Sequence, residues 1–242
     1  MSVSGSSWAR FTLGGRRGAA LSADVVRYGP GVSEADLRLL GHVAGRRVLD
    51  LGCGAGAGAV ALAAAGAKVI AVDEDADNLA ATREAAARSG VRVETHHGPL
   101  AELAFVRADT IDAAVSSYGL AAVDDIDRVF RQVHRVLRSD RPLVFSLPHP
   151  AFAVLHPDEP VPRLQRSWWD TSPLAWSTGS PNGPPDRPRT LASLFASLGR
   201  ANFAVDGLAE PLVTEGEAGD AWCEAMRWVP PTLVLRARKQ GA

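Results

Sequence analysis

An α/β fold built on a parallel sheet is predicted by three features of the sequence. Between residues 46 and 147, apolar strand-like runs alternate with helical patterns, and this alternation is typical of parallel strands joined by crossover helices. The first of these strands leads directly into a glycine-rich turn at residues 52–56. The 242 residues, of which 46% are hydrophobic, are enough for one domain with a single large core.

The first two strand-helix units have clear boundaries. Their strands are predicted at residues 47–51 and 68–72, and their helices at residues 57–65 and 76–89. Gly66 and Gly90 end the two helices, because glycine readily adopts the left-handed conformation that follows a helix. Asp75 supplies an N-cap for the second helix, and Asp73 stands at the end of the second strand.

The later elements follow the same pattern. Further strands are predicted at residues 91–94, 111–116, 142–147, 203–208 and 232–236. Between the fourth and fifth strands, apolar residues recur at helical spacing from Ile126 to Leu137, behind Asp124 as the expected N-cap. A second amphipathic helix is predicted at residues 191–198.

Residues 148–188 interrupt this regularity. The segment is rich in proline and contains Trp168, Trp169 and Trp176. Irregular segments of this length in a compact domain are usually lids or binding loops, and the aromatic content argues against disorder. We interpret the segment as a cap on the substrate side. The tryptophans either form an aromatic wall for the substrate or anchor the cap by packing, and packing is the favoured role.

The cap also contains four basic residues, which either bind an acidic acceptor or lie on a solvated surface. The solvated role is favoured for all four, Arg163, Arg166, Arg187 and Arg189.

Composition excludes several classes of function. The formal net charge of −1 gives no basic field that would attract nucleic acid or an anionic membrane. No segment has the apolar length of a membrane span or the pattern of a signal peptide, so a cytoplasmic location is expected. Cys53 and Cys223 are the only cysteines, too few for a disulfide framework or a cysteine-rich zinc site, and no metal is expected.

The glycine turn leaves two cofactor classes open. Gly52, Gly54 and Ala57 satisfy the G-x-G-x-x-A pattern of dinucleotide-binding folds, and Asp73 follows about 20 positions later, where a ribose-binding acid belongs. Asp50 distinguishes the classes, because a carboxylate beside the turn would repel a pyrophosphate but attract the ammonium and sulfonium groups of S-adenosylmethionine. S-adenosylmethionine is therefore the favoured cofactor. The alternatives are an NAD(P)-dependent oxidoreductase and a non-catalytic S-adenosylmethionine-binding regulatory protein.

The chain resembles the class I S-adenosylmethionine-dependent methyltransferases in four segments: residues 48–56 (VLDLGCGAG), 69–73 (VIAVD), 112–118 (DAAVSSY) and 136–138 (VLR). Within that class it looks like an uncharacterised bacterial group with small-molecule substrates. The resemblance implies a Rossmann-like, seven-stranded sheet with helices on both faces and an antiparallel last strand. The methyltransferase domain would then span residues 28–242, with residues 1–27 as an N-terminal segment.

The resemblance also assigns residues to the cofactor. Asp50 and Gly52 would contact the methionine part, Asp73 the ribose, and Glu74 the adenine. The remaining expected cofactor-binding residues are Tyr28, Cys53, Gly54, Gly56, Pro99, Leu100, Ser116 and Ser117. Pro99 departs from the family, which commonly has an acidic residue near this position that binds the adenine amino group. Leu100 could still offer its backbone N–H to the adenine ring, whereas Pro99 has none.

Methyl transfer to oxygen or nitrogen of a small metabolite is the expected reaction. The displacement depends mainly on alignment of acceptor and methyl group, but an alcohol acceptor also needs a base. His149, directly after the fifth strand, is the best-placed candidate, and the alternative is that it only orders its turn. Tyr118 either faces the acceptor or packs beneath the adenosine.

Overall fold

The computed structural model describes residues 23–174, 177–178 and 184–241. Most of the proposed N-terminal segment and Trp176 lie outside the described residues. The strands are β1 (Arg27–Gly29), β2 (Val32–Ser33), β3 (Arg47–Leu51), β4 (Lys68–Asp73), β5 (Val93–His97), β6 (Ala113–Ser117), β7 (Pro142–Pro148), β8 (Phe203–Ala209) and β9 (Thr232–Lys239). The α-helices are α1 (Glu34–Leu37), α2 (Ala57–Ala64), α3 (Ala76–Arg88), α4 (Ile126–Val136), α5 (Pro150–Ala153), α6 (Leu191–Arg200) and α7 (Glu215–Ala218).

Seven of the strands form one sheet in the order β5-β4-β3-β6-β7-β9-β8. The five strands from β5 to β7 are parallel, and β9 lies antiparallel between β7 and β8. This confirms the predicted fold class. The strand order reverses between β3 and β6, and in sheets of this kind ligands bind in the crevice outside the carboxyl ends of the strands at that point.

The core lies on both faces of the sheet. Val48 and Leu49 are both fully buried, yet they belong to separate hydrophobic clusters, because successive side chains of a strand point to opposite faces. On one face α4 contributes Val129 and Phe130, and Phe130 packs against Phe145 of β7. Burial on both faces explains why the central strands read as nearly continuous apolar runs.

Most predicted boundaries lie within about two residues of the observed ones. The differences include the cap of α4, both ends of β5, the start of β6 and the end of β9, which continues to Lys239. Asp75 caps α3 by accepting a hydrogen bond from the Asp77 amide. The cap of α4, however, is Asp125 and not Asp124, because the residue before the first helical position is the one whose side chain reaches the amide of Arg128. β5 continues through His97, since it pairs along β4 as far as Asp73 despite its polar sequence. Finally, β6 begins at Ala113, two residues later than predicted.

The hairpin of β1 and β2 lies at the carboxyl edge of the sheet. Gly29 approaches the hydroxyl groups of Thr232 and Tyr118 so closely that a Cβ at this position would overlap both. Across the described residues, the structure has no helix long and apolar enough to cross a membrane.

Candidate active site

The glycine turn between β3 and α2 combines two tight packing contacts with one open position. A Cβ on Gly52 would stand 2.6 Å from the Cα of Gly119, and a Cβ on Gly56 would stand 2.7 Å from the Cα of Thr82. A Cβ on Gly54 would have no described atom within 4 Å. Gly52 and Gly56 therefore allow the turn to pack against the protein, whereas Gly54 leaves space on its outer side.

Asp73 holds this turn against the end of β4. Its Oδ2 accepts a hydrogen bond of 2.9 Å from the backbone N–H of Gly54. Its Oδ1 accepts from the backbone N–H of Asp75 and from the side chain of Asn78. A carboxylate can accept about four hydrogen bonds, so Asp73 retains capacity for a ligand hydroxyl while its orientation is fixed.

Asp50 is a buried carboxylate for which the described residues provide no counter-charge. It is only 5% exposed, and no group in the described part of the chain donates a hydrogen bond to its side chain or forms an ion pair with it. Burial, together with the negative charge of Asp73, raises the pKa of Asp50 to about 7. A buried charge is costly unless it is paired, so the site favours a cationic ligand.

This environment fits S-adenosylmethionine. The ammonium and sulfonium groups of that cofactor would supply the positive charge that Asp50 lacks. A pyrophosphate at the same turn would add negative charge next to two carboxylates, Asp50 and Asp73. The open side of Gly54 gives a ligand access to the backbone of the turn.

The predicted adenine-binding residues lie together beyond β4 and β5. The backbone N–H of Leu100 donates to Glu74 Oε1 at 3.3 Å, and His97 Nε2 contacts the carbonyl oxygen of Glu74 at 3.0 Å. Pro99 is exposed. The backbone donor that we expected to meet adenine is thus used by Glu74 in this structure.

The side chains of Cys53 and Ser116 contact neighbouring protein groups. The Ser116 hydroxyl is fully buried and donates to the carbonyl oxygen of Leu51 at 2.7 Å. The Cys53 thiol lies 3.6 Å from the Thr82 hydroxyl. Burial, aided by the charge of Asp50, raises the pKa of Cys53 well above its ordinary value, so the thiol stays protonated. Ser117, the next residue of β6, is partly exposed.

Tyr28 of β1 and Tyr118 are both buried where the N-terminal hairpin meets the strand ends. Tyr28 donates from its hydroxyl to Glu34 Oε2 at 2.8 Å, and the Tyr118 hydroxyl is hydrogen-bonded to that of Thr232. Burial raises the pKa of both phenols well above the ordinary value. The observed contacts make these residues part of the packing between β1 and the strand ends, and their contacts with cofactor or acceptor stay predictions.

His149 is held at both ring nitrogens. It caps α5, where Nδ1 accepts a hydrogen bond from the Ala151 amide. Nε2 therefore carries the proton and donates to Glu210 Oε1 at 2.9 Å. The His149 side chain is only 7% exposed, whereas that of Glu210 is 44% exposed. The part of this pair that solvent or a ligand can reach is the Glu210 carboxylate.

Arg166 and Arg189 brace the cap, contrary to the solvated role favoured for the cap's arginines. The Arg163 side chain, which is 68% exposed, does have that solvated role. Arg166 donates to the carbonyl oxygens of Asp170 and Ser172. Arg189 donates to the carbonyl oxygens of residues 120, 121, 123 and 187, which ties the end of the cap to the loop after β6. The packing role favoured for the tryptophans is wrong for Trp169, which is 80% exposed, because no described neighbouring element covers this part of the cap.

Besides Glu210, three residues at this edge were missed by sequence analysis. Gly119 contacts the glycine turn from the loop after β6, Thr82 supports the turn from α3 through a hydrogen bond to the Gly54 carbonyl, and Asp186 is buried inside the cap. None lies in a motif, and each owes its position to contacts between residues distant in sequence. For Thr82 alone a signal existed, since it is a polar residue on the inward face of a predicted helix.

Comparisons with known proteins agree with this geometry. The family model described as a methyltransferase domain matches residues 48–140. An S-adenosylmethionine-dependent methyltransferase from Mesorhizobium loti has a similar structure, with 27% identity, a TM-score of 0.69 and coverage of 85% of this chain and 96% of its own. A putative S-adenosylmethionine-dependent methyltransferase from Listeria monocytogenes has 22% identity and a TM-score of 0.67, covering 86% and 98% of the two chains.

A protein of undescribed function from Haemophilus influenzae is 24% identical over 227 residues, which cover 84% of this chain and 85% of that protein. The match of residues 48–140 coincides with the part of the chain that builds the glycine turn, Asp73 and the strand ends around Tyr118. Sequence motif, sheet order and site chemistry therefore agree. Residues 48–140 match a methyltransferase domain, and the fold, the site chemistry and the similar structures together support a class I S-adenosylmethionine-dependent methyltransferase.

Proposed function

We propose that this methyltransferase transfers the methyl group to oxygen or nitrogen of a small metabolite. S-adenosylmethionine as the cofactor is supported by one observation. The carboxylate of Asp50 is buried beside the open turn at Gly54 and has no partner among the described residues. S-adenosylmethionine supplies a methyl group that is already activated by the sulfonium. The protein then has to bind, align and shield the reactants.

Specific residues account for these tasks. Asp50 holds the cationic methionine part, and Asp73, fixed by Gly54, Asp75 and Asn78, accepts hydrogen bonds from the ribose. The cap covers the carboxyl end of β7 and is tied by Arg189 to the loop after β6. A cover of this kind excludes water from the reaction and supports a small acceptor. The balanced charge of the chain supports the same conclusion by disfavouring nucleic acid.

We propose the pair of His149 and Glu210 as the proton acceptor for an alcohol. His149 alone has no ring nitrogen available, because Nδ1 is occupied by the Ala151 amide and Nε2 by Glu210. Glu210 would meet the acceptor, and His149 would hold the carboxylate in place and stabilise it. This retains the role in proton transfer predicted for His149 but moves the contact with the acceptor to Glu210.

Cofactor binding provides the first test. We expect S-adenosylhomocysteine to bind the protein in calorimetry. At about 100 times its Kd, a ligand adds about 2.7 kcal/mol of stability, which corresponds to an increase in Tm of roughly 5–10 °C for a protein of this size. NAD(H) and NADP(H) are the matched controls and should leave Tm unchanged. Stabilisation by a nicotinamide cofactor but not by S-adenosylhomocysteine would refute the proposed function.

The proton-transfer pair provides a second test, made with an alcohol substrate once one is identified. We expect Glu210→Gln and His149→Ala to lower kcat by about 100-fold or more, the usual contribution of a general base, without changing the affinity for S-adenosylhomocysteine. Arg227→Gln, which removes an exposed ion pair with Glu224, is the control. Full activity of both variants between pH 6 and 9 would remove the pair from the mechanism.

A further inference from the structure

A small cavity lies beneath the cap at the carboxyl end of β7. Its volume of about 10 Å³ is enough for about one water molecule or one small polar group. Its wall combines apolar side chains with charged ones. The lining residues are Leu147, Pro148, Pro150, Ala153 and Leu174, together with the four residues 186–189 at the end of the cap.

Asp186 gives this cavity a carboxylate. The residue is 1% exposed. Its Oδ2 accepts two hydrogen bonds from Thr178, one from the backbone N–H at 3.0 Å and one from the hydroxyl at 2.8 Å. Its Oδ1 is equally buried and has no hydrogen-bond partner among the described residues. Buried polar atoms are nearly always paired, and leaving one unpaired is costly, so Oδ1 indicates a partner that the described part of the chain does not provide.

The neighbouring polar groups are bound elsewhere. Arg189 directs its guanidinium to backbone carbonyl oxygens of the loop after β6. Arg187 forms an ion pair of 2.8 Å with Asp124. Tyr118 is hydrogen-bonded to Thr232, and it lies near enough to Asp186 for that charge to contribute to the raised pKa of Tyr118.

Burial raises the pKa of Asp186 to about 6, against the effects of the Thr178 hydrogen bonds and the charge of Arg189. The side chain is therefore mainly ionised at neutral pH.

The location connects this carboxylate with the cofactor site. The backbone N–H of Arg187 donates to the carbonyl oxygen of Ala121 at 2.9 Å, so the chain next to Asp186 lies against the loop after β6. Gly119, in the same loop, contacts Gly52 of the glycine turn. Asp186 thus lies at the carboxyl edge of the sheet, on the cap side of the loop whose other side contacts the cofactor turn.

We propose that Asp186 binds the methyl acceptor, with Oδ1 accepting a hydrogen bond from a hydroxyl or amine group that enters the cavity. The inference rests on the proposed function and specifies its substrate class: an acceptor with an O–H or N–H donor, neutral or cationic, next to an apolar part. Acceptors that would place a carboxylate or phosphate in the cavity are excluded, since they would be repelled by Asp186.

Asp186→Asn tests this without changing the shape of the side chain. The Thr178 backbone N–H can only donate, so the asparagine carbonyl has to take the place of Oδ2. The amide NH₂ then takes the place of Oδ1. The variant therefore replaces the acceptor atom in the cavity by a donor. Asp158→Asn, an exposed position of the same cap, is the matched control.

The experiment uses the full chain loaded with S-adenosylhomocysteine. Small amines, alcohols and catechols, each paired with an analogue in which the N–H or O–H is replaced by methyl, are titrated and followed by ligand-observed NMR. We expect donor-bearing compounds to bind the wild type and Asp158→Asn, and to bind Asp186→Asn about 10- to 100-fold more weakly, as for loss of a hydrogen bond to a charged group. The affinity for S-adenosylhomocysteine should be the same in all three proteins.

The other possible results contradict either the assignment of Asp186 or the proposed function. Equal affinity of donor-bearing compounds for wild type and Asp186→Asn, or binding of none of them to the wild type, overturns the assignment of Asp186 and leaves the cavity to a water molecule. Failure of S-adenosylhomocysteine to bind the wild type refutes the proposed function instead. If Asp186→Asn does not fold, Thr178→Val replaces it: this variant keeps the charge but removes one hydrogen bond that orients it, and should weaken acceptor binding severalfold.

Discussion

Asp50→Asn is expected to stabilise the cofactor-free protein while weakening cofactor binding. In the folded protein burial raises the pKa of Asp50 to about 7, whereas in the unfolded chain it is about 3.9. The folded state thus holds the proton more tightly, and stability is lost as the pH rises from about 4 to about 7. A shift of this size corresponds to about 4 kcal/mol at pH 8. Asparagine does not ionise and avoids this loss.

The measurement is thermal unfolding without cofactor at pH 5 and pH 8. We expect the difference in stability between Asp50→Asn and wild type to be larger at pH 8, by about 2–4 kcal/mol. Asp206→Asn is a control with the opposite sign. Desolvation alone would raise the pKa of Asp206, but hydrogen bonds from Arg236 and Arg238 outweigh it and lower the pKa. This carboxylate therefore stabilises the fold at neutral pH, and its replacement should destabilise it there.

Asp50→Asn should weaken cofactor binding although it stabilises the empty protein. The ionised carboxylate pairs with a cation, so the wild type is expected to lose affinity for S-adenosylmethionine as the pH falls below about 7. Asp50→Asn should bind about 10- to 100-fold more weakly at pH 8 and lack this pH dependence. Wild-type affinity of the variant at pH 8 would show that Asp50 does not contact the cofactor. A residue that destabilises the empty protein but binds its ligand is a common compromise at functional sites.

Local sequence patterns were sufficient to predict the strands, the helix ends and the turn that support the site. The alternation of apolar runs predicted the parallel strands, and Asp75 and Gly90 marked the ends of α3. Asp50 and Asp73 were identified because they stand at fixed distances from the glycine turn, and the structure places both beside it. Such features depend on neighbours within a few residues or on one strand-turn-helix unit, which a sequence pattern can represent.

Sequence patterns of this kind could not predict contacts between segments that are distant in the chain. In the sequence, Asp186 is a charged residue among prolines. It is buried only because the cap folds back on the loop after β6. Similarly, nothing near Glu210 indicates that it pairs with His149, 61 positions earlier. The cap lacks periodicity, so its exposed and buried side chains could not be told apart, as the exposure of Trp169 shows.

Gly119→Ala is expected to be among the most destabilising single changes at this site. A Cβ on Gly119 would overlap the carbonyl oxygen of Leu51 and stand 2.8 Å from the Cα of Gly52. Both are backbone atoms at the carboxyl end of β3, and neither can move without disturbing that strand. Overpacking of this kind costs about 3 kcal/mol or more, which corresponds to a decrease in Tm of roughly 6–12 °C.

Gly54→Ala should show the converse behaviour. Its Cβ would enter open space, so the cost to the fold is only that of a left-handed backbone with φ of 53°, about 1–2 kcal/mol. The same methyl group would occupy the space that we assign to the cofactor, and S-adenosylhomocysteine should bind at least about tenfold more weakly, equivalent to about 1.4 kcal/mol. Gly90→Ala is the matched control, because Gly90 has a φ of 65° and equally open surroundings at the end of α3. Calorimetry and thermal unfolding of the three variants separate the two roles: if Gly54→Ala binds S-adenosylhomocysteine as tightly as Gly90→Ala does, the cofactor does not lie against the open side of the turn.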